Sequence, residues 1–204
     1  MSREKRLLDL AVAIPLAGAT LLLIPVVYVL HRIAGDVGPV LYHGSRVGEH
    51  GRPFAVVKLR TMTSKHQGSA LTGRSDPRVT PVGRVLRRTK LDELPQAWNV
   101  LRGEMTLVGP RPEAPEFVDW TNPLHRYVFT ARPGITGMAQ LVFADEESLH
   151  DLSDPVRRYR AEILPAKLEL DRRYLEHSSF RLDARILLAT VALVWRRLRP
   201  FPYR

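Results

Sequence analysis

The stretch Leu10–Leu30, LAVAIPLAGATLLLIPVVYVL, carries no charged residue and decides which architectures are open to the rest of the chain. As a straight helix it would measure about 30 Å, the hydrocarbon thickness of a bilayer. Pro25 and Tyr28 stand where a signal peptide would have its small-residue cleavage motif, which disfavours a secretory signal. A buried core helix is rarely so long and so apolar throughout. We therefore predict that this segment enters a membrane.

Two membrane topologies are compatible with this segment. Pro15 and Pro25 lie inside it with Gly18 between them, and each proline removes a backbone donor and bends a helix. Basic residues stand on both flanks, at positions 3, 5, 6 and 32, and such residues favour the cytoplasmic side. A helix that breaks and leaves by the same leaflet keeps both flanks cytoplasmic, whereas a true span separates them. The residues favour re-entry and leave the span open.

The composition predicts one globular domain with an anionic partner. The 204 residues are 45% hydrophobic and 25% charged, with a net charge of +10. The partner could be nucleic acid, anionic lipid or a phosphate-bearing substrate. Nucleic acid is disfavoured because aromatic residues make up only 7% of the chain. The absence of cysteine excludes disulfides, thiolate zinc sites and thiol nucleophiles.

Outside the apolar stretch, the sequence predicts a mostly helical α+β fold. Two short strands, Leu41–Tyr42 and Phe54–Leu59, flank a segment rich in glycine and are expected to form a small hairpin. Thr80-Pro81 is a capped helix start, and Thr89–Asp92 resembles a second one. The last predicted helix, Asp183–Arg199, ends in a tryptophan and a basic cluster. That ending suits the interface of an anionic leaflet, and a core helix with a solvated basic end is the alternative.

Asp92 and Glu93 stand side by side in a segment rich in arginine and lysine, residues 74–111. Nearby cations lower the pKa of a carboxylate and keep it ionised. An ionised carboxylate can act as a nucleophile or as a ligand for Mg²⁺. The alternative is that both acids belong to the first turn of a helix and satisfy its free N–H groups.

Other basic residues could bind phosphate. Pro110 and Pro112 fix the backbone on both sides of Arg111, so its side chain is presented from a stiff loop, and a plain surface turn is the alternative. Lys58 and Arg60 alternate along a strand, which puts both charges on one face, either solvated or directed at phosphate. No Walker loop, GxGxxG, GxSxG or paired-histidine motif is present, which disfavours nucleotide folds of those types, serine hydrolases and histidine-based metal sites.

Together these stretches resemble the small monotopic phosphoglycosyl transferases, the bacterial sugar transferase family, over nearly the whole chain. The most specific stretch is LRRTKLDELPQAWNVLRGEMTLVGPRPE, residues 86–113. Other segments follow the family order: Lys5-Arg6-Leu7-Leu8-Asp9, Gly38-Pro39-Val40, Arg46-Val47-Gly48, Pro53-Phe54, Lys58-Leu59-Arg60-Thr61-Met62, the run from Asp76 through Gly83, Arg132-Pro133-Gly134-Ile135-Thr136-Gly137, and Asp183 to Thr190.

The resemblance implies a reaction and a set of roles. Asp92 would attack the β-phosphorus of a UDP-sugar, UMP would leave, and undecaprenyl (polyprenyl) phosphate would take the sugar phosphate. Mg²⁺ would be required, held by Asp92 and Glu93. We expect the substrate phosphates and nucleotide to bind the basic residues Lys58, Arg60, Arg78, Arg88 and Arg111.

The resemblance also implies a place in the cell. Residues 1–33 would form a re-entrant membrane helix broken at Pro25, and residues 34–204 a compact cytoplasmic catalytic domain with interfacial amphipathic helices. Both termini would lie on the cytoplasmic face of the bacterial inner membrane, in contact with anionic lipids. A homo-oligomer is left open, and no nucleic-acid partner is expected.

This sequence departs from the family pattern at several positions. Ile24 stands where the family often has serine before the helix break, Lys90 where serine is common, and Met138 where tryptophan is common. After Gln140 the family's asparagine-rich segment is replaced by Asp145-Glu146-Glu147, so the sugar cannot be carried over. The alternative function is a catalytically degenerate, membrane-anchored interaction protein of a glycan assembly complex.

Overall fold

The computed structural model describes residues 2–63, 71–73, 76–145 and 154–198. The helices are α1 (Arg3–Ile33), α2 (Pro81–Thr89), α3 (Gln96–Arg102), α4 (Pro123–Val128), α5 (Met138–Val142), α6 (Pro155–Arg158), α7 (Leu164–Glu176) and α8 (Phe180–Leu198). The strands are β1 (Leu41–Val47), β2 (Pro53–Leu59), β3 (Thr106–Val108) and β4 (Gly134–Thr136). The predicted mostly helical α+β class is confirmed. Arg74, Glu146, Glu147 and Arg199, on which some of the predictions fell, lie outside the described residues.

The predicted hairpin is present and is longer than expected. Strands β1 and β2 pair antiparallel, from Leu41 opposite Leu59 to Val47 opposite Pro53. The side chain of the fully buried Asn99, on α3, continues this pairing: it accepts a hydrogen bond from the backbone N–H of Val57 at 3.0 Å. A second, parallel pair joins β3 to β4. The hairpin is therefore fixed against α3, next to the acidic pair.

One of the two helix starts predicted around the acidic pair is correct. The hydroxyl of Thr80 accepts from the backbone N–H of Gly83 at 2.9 Å and caps α2. The second start is wrong, because the Thr89 hydroxyl donates back to carbonyls of α2 instead. Lys90 then adopts a left-handed conformation with φ 59°. A single 3₁₀ turn over Leu91–Glu93 follows, and α3 begins only at Gln96.

Helix α1 is continuous, and the predicted break at Pro25 is not seen as an interruption of the helix. It runs from Arg3 to Ile33 through both prolines. One face is supported along its length: Ala13 packs against the core around α3, and Val27 packs against Leu59 and Leu86. This packing holds the helix on each side of Pro25, so the loss of one backbone donor does not end it. The re-entrant course stays a prediction.

Polar contacts fix the amino-terminal part of α1 to the body. Lys5 Nζ lies 2.5 Å from a carboxylate oxygen of Asp183, on α8. The Asp9 carboxylate, 1% exposed, accepts from the hydroxyl of Thr106 at 2.8 Å and from the N–H of Leu107 at 2.9 Å. At the other end, His31 Nε2 lies 3.1 Å from the backbone carbonyl oxygen of Arg60, which follows β2. Helix α1 therefore lies along the body and contacts it near both ends.

Helices α6 and α7 are joined by a π-helical turn, Tyr159–Ile163. Pro165 supplies the reason, because its ring clashes with the carbonyl four residues earlier and it donates no hydrogen bond. Tyr159 and the first residues of α7 pack with Phe117 and Val128 in one hydrophobic cluster. The turn thus fixes the position of Tyr159 behind the loop that follows β3.

Candidate functional site

A polar pocket opens between the β1–β2 hairpin, the Leu91–Glu93 turn, the loop after β3, and α5. Its wall carries three basic side chains and one acidic one, Glu93. The residues that line it are Arg46, Val56, Lys58, Glu93, Gln96, Arg111, Pro112, Gly134, Ile135 and Gln140. A concave surface with converging cations favours a ligand that carries several negative charges.

Glu93 is held in the pocket wall as an ionised carboxylate. Lys58 Nζ donates to Glu93 Oε1 at 3.0 Å. Burial alone would raise the pKa of the Glu93 carboxyl, but the cationic Lys58, Lys90 and Arg111 outweigh burial and hold that pKa well below its usual range. The expectation that surrounding cations keep the acid ionised therefore fits Glu93.

Asp92 lies in a different environment from its neighbour. Its side chain is buried, and Oδ1 has no hydrogen-bond partner among the residues that the structure describes. Burial and the adjacent negative charge of Glu93 raise the pKa of Asp92 to about 6, despite the opposing charges of Lys58, Lys90 and Arg87. The expectation of a lowered pKa is wrong here. Both acids lie in the first turn of the 3₁₀ helix Leu91–Glu93, as the helix-start alternative expected, but within the described part of the chain no side chain caps that turn or α3.

Hydrogen bonds at each of three successive residues fix the loop that carries Arg111. The N–H of Gly109 donates to the backbone carbonyl of Thr136 at 2.9 Å, and the N–H of Gly134 donates to the backbone carbonyl of Pro110 at 2.8 Å. A Cβ on Gly134 would overlap the backbone of Gly109, so this close approach requires glycine. The N–H of Arg111 itself donates to Asp171 Oδ2 at 3.2 Å. The backbone beside the pocket is therefore rigid, and it presents the Arg111 side chain to the pocket.

Arg46 is a pocket residue that the sequence reasoning missed. Burial and the nearby positive charge of Arg111 lower the pKa of the Arg46 guanidinium, although a guanidinium remains charged. Arg46 and Lys58 share one face of the hairpin, since Arg46 pairs with Phe54 and Tyr42 with Lys58. The register of β1 against β2 places Arg46 beside Lys58, and the sequence alone does not specify that register.

Gln140 was also missed as a site residue. Both polar atoms of its side-chain amide are buried, and neither has a hydrogen-bond partner in the described part of the chain. A buried amide in this state loses the hydrogen bonds that it would make with water. Because Gln140 lines the pocket, its donor and acceptor are placed where a bound ligand could satisfy them.

The other three predicted binding residues lie elsewhere. Arg60 bonds both carboxylate oxygens of Asp36, at 2.9 and 2.7 Å, and the Pro39 carbonyl at 2.6 Å. Arg78 is paired with Asp76 at 2.7 Å. Arg88 contacts a backbone carbonyl of α8 at 3.4 Å. None of the three lines the pocket, and neither does the buried Asp92, whereas Lys58, Glu93 and Arg111 meet there.

The acidic pair fits a magnesium ion that shares its ligands with a substrate. Within the described residues there is no cluster of three or more candidate metal-ligating side chains. Mg²⁺ is commonly held by one or two carboxylates together with substrate phosphates and water. The unpartnered Oδ1 of Asp92 and the ionised Glu93 offer oxygen ligands of that kind. A dedicated all-protein magnesium site is not supported.

Comparisons with known proteins agree with the geometry. A family model described as "Bacterial sugar transferase" matches residues 1–197. A UDP-N-acetylgalactosamine-undecaprenyl-phosphate N-acetylgalactosaminephosphotransferase of Aeromonas hydrophila is 35% identical over 95% of this chain and 43% of its own length. A UDP-glucose:undecaprenyl-phosphate glucose-1-phosphate transferase of Caulobacter vibrioides is 40% identical over 76% of this chain and 56% of its own length.

A shorter relative is covered more completely. The uncharacterized sugar transferase EpsL of Bacillus subtilis is 35% identical over 93% of this chain and 86% of its own length. In contrast, the chain spans about half the length of the Aeromonas and Caulobacter proteins.

Proposed function

Since the chain belongs to the bacterial sugar transferase family, we propose that it transfers a sugar 1-phosphate from a UDP-sugar to undecaprenyl phosphate and releases UMP. The observation that carries this proposal is the pocket in which Arg46, Lys58 and Arg111 converge beside Glu93. Guanidinium and ammonium groups bind phosphate oxygens and offset charge on a phosphoryl group during transfer. The names of the relatives indicate the class of the donor, a UDP-sugar, and of the acceptor, undecaprenyl phosphate.

The proposed reaction has two displacements at one phosphorus. A carboxylate oxygen of Asp92 attacks the β-phosphorus of the UDP-sugar, a phosphorus–oxygen bond forms, and the bond to the leaving UMP oxygen breaks. A phosphate oxygen of undecaprenyl phosphate then attacks the same phosphorus and releases Asp92 as a carboxylate. A covalent intermediate lets two substrates use one phosphate site in turn.

Each residue of the site has a place in this scheme. Arg46, Lys58 and Arg111 bind diphosphate oxygens and orient the phosphorus. Asp92 and Glu93 would hold Mg²⁺, which supplies electrostatic stabilisation of the phosphoryl oxygens when bound. Lys58 also orients Glu93 through their ion pair at 3.0 Å. The relatives named above act, by their names, on N-acetylgalactosamine and on glucose, so the proposal extends to UDP-sugars as a class.

The proposed location is the cytoplasmic face of the bacterial inner membrane, with both termini cytoplasmic. Contacts near both ends of α1 support this: Lys5 pairs with Asp183, and His31 Nε2 lies 3.1 Å from the carbonyl oxygen of Arg60. The two ends are about 40 Å apart along the helix, more than the hydrocarbon thickness. If α1 spanned the bilayer, the polar body would have to cross it as well. Lateral attachment to one leaflet avoids that cost.

Exposed apolar faces supply the surface for such attachment. On α1, Leu22 is 77% exposed and Ile33 is 78% exposed. On α8, exposed apolar residues recur at helical spacing: Leu188, Val191, Trp195 and Leu198. The last turn of the same helix carries the basic residues Arg196 and Arg197. This combination is typical of a helix at the interface of an anionic leaflet.

The test of the reaction is UMP release by the purified, detergent-solubilised protein. A panel of UDP-sugars is offered with undecaprenyl phosphate and Mg²⁺, and at least one is expected to release UMP. Without acceptor, a donor labelled at the β-phosphorus is expected to label the protein, and Asp92→Asn is expected to abolish both signals. Asp119→Asn, at an exposed position, is the matched control. Release at the wild-type rate by the Asp92→Asn protein would overturn the role of Asp92, and no release from any donor would overturn the reaction.

The test of topology uses the absence of native cysteine. Single cysteines are introduced as Arg3→Cys and Val37→Cys, at exposed positions on either side of α1. A membrane-impermeant maleimide is expected to label both in inverted vesicles and neither in intact cells whose outer membrane has been removed. Labelling of one position from outside would show a true span.

A further inference from the structure

A cluster of buried polar side chains lies behind the pocket wall and contains none of the predicted site residues. Glu113 is 6% exposed, Tyr159 and Asp171 2%, and Lys167 1%. Their surroundings are apolar, since Phe117, Val128, Ile163, Leu164 and Leu168 form the adjacent hydrophobic cluster. Ionisable groups in such a place need an explanation, because well-packed apolar residues are often equally stable there.

One route through the cluster ends at the side chain of Arg111. Lys167 Nζ donates to Tyr159 Oη at 3.3 Å, and Tyr159 Oη donates to Glu113 Oε2 at 2.7 Å. The other oxygen of the same carboxylate, Oε1, lies 3.9 Å from Arg111 Nε. The guanidinium that lines the pocket therefore stands at the end of a chain of polar contacts that begins on α7.

A second route ends at the backbone of the same residue. Asp171 lies four residues after Lys167, on the same face of α7. Its Oδ2 accepts from the N–H of Arg111 at 3.2 Å. Its Oδ1 has no hydrogen-bond partner within the described ranges, so there this buried carboxylate is only partly satisfied. Helix α7 thus contacts the backbone of Arg111 directly and reaches its side chain through Tyr159 and Glu113.

The π-helical turn makes the first route possible. Residues eight apart in a regular α-helix, as Tyr159 and Lys167 are, differ in direction by roughly 80°. A π-helical turn inserts one extra residue, which brings the pair close to the spacing of seven and to a difference of roughly 20°. Both side chains therefore face the loop that carries Arg111.

We propose that Glu113, Tyr159, Lys167 and Asp171 are positioning residues that set the Arg111 guanidinium in the pocket for the diphosphate of the donor. The proposal rests on the proposed function for its ligand. It explains why the chain keeps four buried polar side chains beside one loop. It also assigns a role in binding the donor to the π-helical turn and to α7, none of whose described residues lines the pocket.

The experiment is a double-mutant cycle read by binding as well as by turnover. The dissociation constant of UDP with Mg²⁺ is measured by calorimetry for wild type, Tyr159→Phe, Arg111→Gln and the double variant, together with KM and kcat for a UDP-sugar. Tyr159→Phe removes one hydroxyl and keeps the ring. It is expected to weaken UDP binding and raise KM by about tenfold, with a smaller effect on kcat. In the Arg111→Gln background, Tyr159→Phe is expected to raise the dissociation constant of UDP by less than about twofold more, because both changes disable the same contact.

Two further variants separate positioning from folding. Asp171→Asn keeps an acceptor for the Arg111 N–H and is expected to bind UDP within about threefold of wild type, whereas Asp171→Ala is expected to lose tenfold or more. Arg173→Gln, at an exposed position on α7, is the control and is expected to match wild type. Wild-type affinity in Tyr159→Phe, or multiplicative effects in the cycle, would overturn the inference. If no UDP-sugar is turned over, the proposed reaction fails, and the UDP affinities still decide the role of the four residues.

Discussion

The ammonium nitrogen of Lys58 lies 3.0 Å from Oε1 of Glu93 and joins the β1–β2 hairpin to the turn that carries the acidic pair. Both side chains keep partial contact with solvent, 25% for Lys58 and 21% for Glu93. An ion pair at this exposure contributes little to the stability of the fold. Its importance lies in the site, because it fixes one carboxylate next to the place where the transferred phosphate would bind.

Lys58→Met is therefore expected to reduce activity far more than stability. UMP release should fall about 100-fold, as for removal of a group that stabilises charge in a transition state. The free energy of unfolding should change by less than about 1 kcal/mol. Arg158→Gln, which removes an exposed pair with Glu162, is the control and should leave both quantities unchanged. A Lys58→Met protein with normal turnover would contradict the assignment of Lys58 to the site.

The raised pKa of Asp92 predicts a pH dependence of turnover. Burial and the charge of Glu93 raise this pKa to about 6, so the nucleophilic carboxylate is lost as pH falls through that value. The rate of UMP release under kcat/KM conditions is expected to fall below a pH of about 6, and bound Mg²⁺ would move the midpoint to lower pH. If kcat/KM stays constant down to pH 4.5, and changing the Mg²⁺ concentration reveals no midpoint, the Asp92 carboxylate is not essential.

The same group predicts the sign of a stability change. The folded-state pKa of Asp92 lies above its ordinary value of 3.8, so its contribution to stability is full below about pH 4 and is lost as pH rises through about 6. Above that pH the fold carries a buried charge at a cost on the order of 3 kcal/mol. Asp92→Asn should therefore raise the thermal unfolding temperature at pH 8 by several degrees, and by less at pH 5. An unfolding temperature lowered equally at both values would contradict this account.

Arg60 was expected to bind phosphate, and its contacts instead predict a structural effect. Arg60 is 6% exposed and bonds Asp36 through two short hydrogen bonds. Asp36→Asn should lower the free energy of unfolding by about 2 kcal/mol, since it leaves a buried guanidinium without its counter-charge. KM for the donor should stay within about twofold of wild type. An Arg60→Met protein with unchanged unfolding and a raised KM would restore the original expectation.

Features that depend on neighbouring residues could be predicted from the sequence. The charge-free stretch 10–30 predicted the apolar helix, and the Thr80-Pro81 pair predicted the start of α2, because both signals are complete within a few residues. The Asp92-Glu93 pair was likewise visible as two adjacent carboxylates in a basic segment. In these cases local chemistry and the fold agree.

Features that depend on distant packing could not be predicted. Pro25 predicted a break, but Val27 packs against Leu59 and Leu86 and supports the helix beyond it. Asp171 accepts a hydrogen bond from Arg111, 60 positions earlier in the chain, and no sequence pattern near either residue predicts this contact. The direction of the Asp92 pKa shift depended on burial as well as on the charges that the sequence shows.

Two glycine-to-alanine changes in helices should have opposite effects on stability. A Cβ at Gly83, on α2, would overlap the backbone of Thr61, which also accepts from the N–H of Thr80 at 3.0 Å. Because backbone cannot yield as a flexible side chain can, Gly83→Ala should lower the free energy of unfolding by about 2 kcal/mol. Gly18, in the middle of α1, has no atom within 4 Å of the added carbon, so Gly18→Ala should raise stability by up to about 1 kcal/mol. Thermal unfolding in one detergent compares the two, and an unchanged Gly83→Ala protein would mean that α2 can move away from Thr61 at no cost.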